Sequence, residues 1–214
     1  MNVSRHGWTV GLVLALTAVS SHAQSFRPGA YLGGSLGSAQ AVDLDALSQA
    51  FQGQGLSVRP VSVDDSDGGW KLFVGYRFNP YFAVEGGYTS LGEFGYQGQV
   101  TTDPGTVEAT FKADNWNALA VGIVPLADGF ELFGKAGLGY WQADLGATGT
   151  FAGRTAKAVE SSGTSPIAGL GGKYDFNPAW GLRLEWERYF NVGKESESGR
   201  TDIDLWSIGL QYRF

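Results

Sequence analysis

The sequence predicts an all-β chain folded as an eight-stranded antiparallel up-and-down transmembrane β-barrel. Three observations carry this: a final segment in strict period two, apolar rows that begin and end on aromatics, and short turns alternating with long polar stretches. The last ten residues, Leu205-Trp206-Ser207-Ile208-Gly209-Leu210-Gln211-Tyr212-Arg213-Phe214, put Trp206, Ile208, Leu210, Tyr212 and Phe214 on one face and Ser207, Gly209, Gln211 and Arg213 on the other. The first face suits lipid and the second a polar lumen, because side chains along a strand point alternately to its two sides.

From the N-terminus, residues 1–23 read as a secretory signal peptide. Arg5 supplies a positive start, Gly7 to Ala18 is mostly apolar, and Ser21-His22-Ala23 is a small-x-small cleavage site before Gln24. The apolar run is too short to span a bilayer as a helix, and no later segment is apolar enough to do so. Membrane residence is therefore expected by strands whose backbone groups are satisfied by closure. Without Arg5, 14 basic residues stand against 21 acidic, a formal charge of −7, which is a poor balance for binding nucleic acid. The 33 glycines, 14% aromatics and absence of cysteine fit many strands and turns rather than a disulfide-stapled domain. Residues 24–214 are expected to form one barrel domain.

Asn79-Pro80, Ala127-Asp128-Gly129 and Asn177-Pro178 read as tight turns by their residue types. Polar stretches at 40–67, 92–112, 145–160 and 190–202 read as four long loops at the other end. In the second strand, Trp70, Leu72, Val74, Tyr76 and Phe78 face lipid, with Lys71, Phe73, Gly75 and Arg77 inside. The third strand turns Phe82, Val84, Gly86 and Tyr88 outward, the fifth Phe130, Leu132, Ala136, Leu138 and Tyr140, and the seventh Trp180, Leu182, Leu184 and Trp186. At about 3.3 Å per residue and a ~40° tilt, Trp70 to Phe78 spans roughly 20 Å, close to the ~25 Å apolar band between aromatic girdles. The fourth strand breaks the rule: with Trp116 outward, Leu119, Val121 and Ile123 would face the lumen, so a slip of one residue or a bulge is expected there.

Several segments resemble the transmembrane domain of the outer membrane protein A family. They are Gly75-Tyr76-Arg77-Phe78-Asn79-Pro80-Tyr81 into Val84-Glu85-Gly86-Gly87-Tyr88, Val124-Pro125-Leu126 through Lys135-Ala136-Gly137 to Trp141, Arg183-Leu184-Glu185-Trp186, and the final Tyr212-Arg213-Phe214. The resemblance implies a monomeric barrel in the outer membrane of a Gram-negative cell, surrounded by lipid and lipopolysaccharide. It also implies insertion by the barrel-assembly machinery, which would read the last strand through Trp206, Leu210, Tyr212 and Phe214. The chain stops at Phe214, so the family's periplasmic peptidoglycan-binding domain is not expected.

Seven charged side chains fall on the inward phase: Lys71, Arg77, Glu85, Lys135, Lys173, Arg183 and Glu185. Counted from the turns, Glu85, Arg183 and Lys173 share one layer, and the third and seventh strands lie half a barrel apart, so Glu85 and Arg183 can meet across the lumen. Isolated buried charges are too costly, so these are expected to pair and plug the interior. In the family, positions matching Glu85 and Arg183 form a central ion pair whose rearrangement is thought to open a small conductance. The family's alternative lysine matches Val121, and its partner glutamate matches Lys173, so that two-pair switch does not carry over; Lys173 or Lys135 is expected to compete for Glu85.

Asp64, Asp65 and Asp67, before Gly68-Gly69, hint at a cation loop, but the twelve-residue calcium pattern with its terminal glutamate is missing, and a solvated loop is the simpler account. Asp43 to Phe51 reads as a short amphipathic helix capped by Asp43, with Leu44, Leu47 and Phe51 on its apolar face. Both histidines, His6 and His22, lie in the signal segment. That removes Ser-His and Cys-His chemistry and histidine-bound metal from the mature chain, so neither an enzyme nor a cofactor is expected. Glu185 and Glu187 share the inward face of the seventh strand, but neighbouring Arg183 makes an ion pair the simpler reading. The leading function is a structural outer-membrane, porin-like protein with low, gated small-solute or ion conductance through a charge-plugged lumen. The alternative is a surface adhesin or receptor acting through its loops.

Overall fold

The computed structural model describes residues 27–42, 58–64, 66–100, 105–149, 159–193 and 201–214. The signal segment, its cleavage site and the expected helix at 43–51 lie outside the described residues. Strand β1 is Gly29–Ala41. Strand β2 consists of two consecutive lengths, Val58–Asp64 and Ser66–Asn79, both paired with the next strand. Then follow β3 (Phe82–Val100), β4 (Gly105–Pro125), β5 (Phe130–Gly149), β6 (Val159–Asp175), β7 (Trp180–Val192) and β8 (Thr201–Arg213). Every neighbour is antiparallel, and β8 returns to β1 from Tyr31↔Arg213 to Ala41↔Ile203, which closes the barrel.

The three tight turns form as their residue types require. Asn79 Oδ1 accepts from the Tyr81 amide, and Asn177 Oδ1 accepts from the amides of Ala179 and Trp180, the side chain mimicking a backbone turn. At the third turn Asp128 and Gly129 take φ of 57° and 81°, a conformation tolerated by Asp and free to Gly.

Outward rows are exposed as lipid-facing residues should be: Trp70, Leu72, Val74, Tyr76 and Phe78 on β2, and Trp206, Ile208, Leu210 and Phe214 at the C-terminus. Aromatics meet across strands at both rims, for example Trp70 with Tyr88 and Tyr88 with Trp116 on one side, Phe130 with Tyr174 and Trp180 with Tyr212 on the other. These cross-strand pairs form the girdles that set the barrel's depth in the bilayer.

Two sequence expectations need correction. The fourth strand neither slips nor bulges against β5: its register runs unbroken from Val107↔Gly149 to Pro125↔Glu131. Leu119 and Val121 are buried in the lumen, and Trp116 and Val124 face out. The irregularity falls instead between β3 and β4, at Ser90/Glu93. Second, 92–112 is mostly strand, and strand reaches into 145–160 over 145–149 and 159–160: β3, β4 and β5 run for 19, 21 and 20 residues, against 13 for β1, β7 and β8. A tilted crossing needs only about 9–11 residues. Above the bilayer the ladder hydrogen bonds form whatever the side chains are, and with water on the outer face the apolar alternation that marks a membrane strand is no longer required.

Inside, large residues sit opposite glycines. Tyr31 faces Gly75, Phe73 faces Gly33, Phe133 faces Gly171 and Trp141 faces Gly163, so each ring lies flat on backbone with no side chain beneath it. Such large-against-none alternation lets a narrow lumen fill completely. The buried apolar side chains form two groups. One at the turn end contains Tyr31, Phe73, Ala83, Val121 and Phe133, and one at the loop end contains Leu91, Phe94, Leu119, Trp141, Ile167, Tyr189 and Leu205.

Candidate functional site

Between and beside these apolar groups the alternating inner faces deliver charged residues from β2, β3, β5 and β7 to one level. Arg183 is buried, and its Nη1 donates to Glu85 Oε1 at 2.8 Å and to Gln211 Oε1 at 2.9 Å, while its Nε lies 2.7 Å from Glu185 Oε1. Lys135 Nζ is shared by three carboxylates: Glu85 at 2.9 Å, Glu185 at 2.5 Å and Glu187 at 3.0 Å. Lys71 Nζ bridges Glu185 and Glu187 at 2.5 and 2.8 Å. Tyr31 donates its hydroxyl to Glu85 Oε1 at 2.9 Å, and Tyr189 hydrogen-bonds Thr89 at 3.1 Å. Three cations thus face three carboxylates in a water-poor interior, where each charge needs its partners to offset lost hydration.

A second network occupies the turn-end mouth. Arg77 Nη1 donates to both oxygens of Glu131, at 2.7 and 3.0 Å, and its Nη2 donates to the Pro80 carbonyl at 2.6 Å. Lys173 Nζ lies 2.9 Å from Glu131 and 3.0 Å from Asp175. Two cations again face two carboxylates.

The geometry brings Glu85, Arg183, Lys135, Glu185 and Lys71 together and places Arg77 and Lys173 apart from them. Lys173 pairs not with Glu85 but with Glu131 and Asp175, its direct cross-strand neighbours being Arg183 on one side and Glu131 on the other. Like charge turns it away from Arg183 toward the carboxylates of Glu131 and Asp175. Glu131 was missed because it directly follows a turn and the first aromatic of its strand, yet its odd position in a strand whose inward residues are Phe133 and Lys135 gives its direction. Tyr31 and Gln211 carried no charge signal. Two cavities inside the lumen beside Glu85 are about 20 Å³, lined by Tyr31, Arg77, Glu131, Phe133, Lys173 and Arg183 among others, and about 10 Å³, toward Lys71, Lys135 and Glu187; a groove of about 860 Å³ that also reaches Glu85 is lined mostly by outward residues such as Leu32, Val74, Val84 and Phe214. Each of the two lumen cavities is near the minimum for one water, so neither is a pore.

The cation candidate resolves differently. Asp65 lies outside the described residues, and among those described no group of three metal-ligating side chains occurs. Both oxygens of Asp67 are engaged by backbone: Oδ1 accepts from the Gly68 amide and Oδ2 from the Glu93 amide, each at 2.7 Å. Gly92, at φ 85°, sits against Asp67 at the irregularity in β3, so the carboxylate clamps the bulge above the outer aromatic girdle. These two amides, Glu93 first, hold the Asp67 carboxyl below the usual carboxylate range. A lowered folded value means that the clamp is present above the unfolded pKa and is lost as pH falls through the folded one. Asp67→Ala is expected to speed hydrogen exchange of the Glu93 amide several-fold at neutral pH. Acidification through the folded pKa should likewise lower the protection of this amide in the native chain, once its rate is divided by the intrinsic exchange rate at each pH, and leave that protection little changed in the variant.

Residues 28–214 match the family model described as OmpA-like transmembrane domain. Outer membrane protein A of Serratia marcescens is 30% identical over 210 residues, covering 96% of this chain and 55% of that protein. That of Yersinia pseudotuberculosis serotype I is 30% identical over 209 residues, covering 96% and 54%. The chain therefore spans about half the length of these curated relatives. Among solved structures, Neisserial surface protein A superposes with a TM-score of 0.58 at 15% identity, covering 88% of this chain and 100% of that one, a likeness of fold.

Proposed function

Because this chain belongs to the family of OmpA-like transmembrane domains and is a protein of the outer membrane, we propose that it serves there as a structural barrel whose lumen is closed at rest and conducts small ions only in brief, gated openings. The observation that carries this reading is the lumen filling: two charge-balanced networks, packed against buried aromatics, with voids of about 20 and 10 Å³ around Glu85. No catalytic role is assigned. Planar-bilayer recording of purified protein is the test. Infrequent, small openings over a closed baseline are expected, and a steady open conductance would overturn the closed-lumen reading.

A second reading, a surface adhesin or receptor, is favoured by the extra height of β3, β4 and β5 above the outer girdle. Cell-binding assays with the 101–104 and 150–158 connections shortened separate it from a purely structural role.

We further propose that the barrel is a monomer among lipid and lipopolysaccharide, and that the assembly machinery reads its last strand. Trp206, Leu210 and Phe214 project outward there, and the Phe214 amide closes onto the Ala30 carbonyl at 3.1 Å. Phe214→Ser is expected to lower outer-membrane yield severalfold at native expression while changing the unfolding midpoint of the assembled fraction little, since an exposed terminal ring adds few internal contacts. Quantitative membrane fractionation beside urea unfolding checks both halves, and unchanged yield would count against it.

A further inference from the structure

Arg183 is held in two ways. Oxygens stand around its planar fork: Nη1 donates to Glu85 and Gln211, while Glu185 Oε1 lies 2.7 Å from Nε as an ion pair without a hydrogen bond. Two phenyl rings also lie within cation–π distance of it. The guanidinium carbon is 4.5 Å from the centroid of Phe73 and 4.5 Å from that of Phe133. Lys135 Nζ lies farther from the same rings, at 5.7 and 5.6 Å, and Lys71 Nζ at 5.8 Å from Phe73. A planar, weakly hydrated cation can use carboxylates in its plane and aromatic faces above and below at once, which a compact ammonium cannot.

The rings themselves have little room to turn. A Cβ at Gly33 would overlap the Phe73 ring, and a Cβ at Gly171 would overlap the Phe133 ring, so each phenyl is seated directly on the backbone of its neighbouring strand. Tyr31 then braces Phe73 edge-on, with centroids 6.5 Å apart, while its hydroxyl reaches Glu85.

We infer that Phe73 and Phe133 are positioning residues, an aromatic vice that fixes the Arg183 guanidinium across the lumen and so holds the barrel shut. This rests on the closed-lumen reading and specifies what sets the closed state: the ion pairs supply the charge balance, and the two glycine-seated rings decide that Arg183 stays where it is. Removing the rings' π faces while keeping apolar bulk should free the guanidinium without stranding any charge.

The test pairs NMR with conductance. In lipid nanodiscs, the Arg183 side-chain protons of the native chain are expected to be shifted upfield by ring currents and its Nε–H to exchange slowly. In the double variant Phe73→Leu with Phe133→Leu both signatures should vanish, and open probability in planar bilayers should rise about tenfold or more, tenfold being the scale of two cation–π contacts at the weak end of their range. An unshifted Arg183 in the native chain would overturn the vice, and needs no variant to fold. A folded double variant with unchanged open probability would overturn its role as the lock; if the double does not fold, Phe133→Leu alone decides on the same two readouts. A native chain that conducts steadily while Arg183 remains ring-shifted would instead sink the closed-lumen reading.

Discussion

Arg183→Ala is expected to destabilise the barrel by about 3–5 kcal/mol, the cost of leaving buried carboxylates without their partner. Glu85 would keep Lys135 and the Tyr31 hydroxyl, whereas Glu185 would lose its Nε contact and Gln211 its donor. Glu85→Ala strands the cation instead. The double variant removes one charge of each sign and should be milder than the sum of the two single changes, with a coupling of about 1–3 kcal/mol. Urea unfolding in lipid vesicles, followed by tryptophan fluorescence, measures all corners of this cycle. Additive losses would mean that the 2.8 Å pair contributes no coupling energy, and gating schemes built on it would fall.

Gly137→Ala is expected to lower both folded yield and stability, by an amount toward the top of the ~1–3 kcal/mol range for overpacking. A Cβ there would overlap the Ala118 carbonyl oxygen and lie 2.9 Å from Leu119 Cα, so the obstacle is the backbone of β4 rather than a side chain that can turn aside. The Leu119↔Gly137 rung would have to open. Gly122→Ala makes the same chemical change on the lipid face, where the nearest atom is 4.0 Å away, and should stay within about 0.5 kcal/mol of the native chain. Equal effects at both positions would refute the argument from close strand approach.

What the sequence made legible was the part governed by side-chain alternation: which residues of β2, β5, β7 and β8 face lipid, where the Asn-Pro turns fall, and that Glu85 and Arg183 point toward each other. The upper halves of β3, β4 and β5 were not legible, because outside the bilayer strand pairing rests on backbone hydrogen bonds that polar side chains neither advertise nor prevent. Leu119 and Val121 looked like a slipped register because a lumen was equated with polarity, whereas this one holds apolar layers beside its charges. Counting Lys173 from its turn ignored its lateral neighbours; height along a tilted strand says less about pairing than the two residues directly across from it. The seating of Phe73 and Phe133 on glycines needed the cross-strand register, which no single segment contains.

The balance of charge inside the barrel also bears on how it responds to an electric field. Moving one elementary charge through 100 mV changes its energy by about 2.3 kcal/mol. The central filling of Lys71, Lys135 and Arg183 against Glu85, Glu185 and Glu187 carries no net charge, and neither does the mouth network of Arg77 and Lys173 against Glu131 and Asp175. A voltage therefore does no net work in displacing either network as a body; it acts only on their internal dipoles. Openings of this lumen should accordingly be nearly independent of voltage and of its polarity.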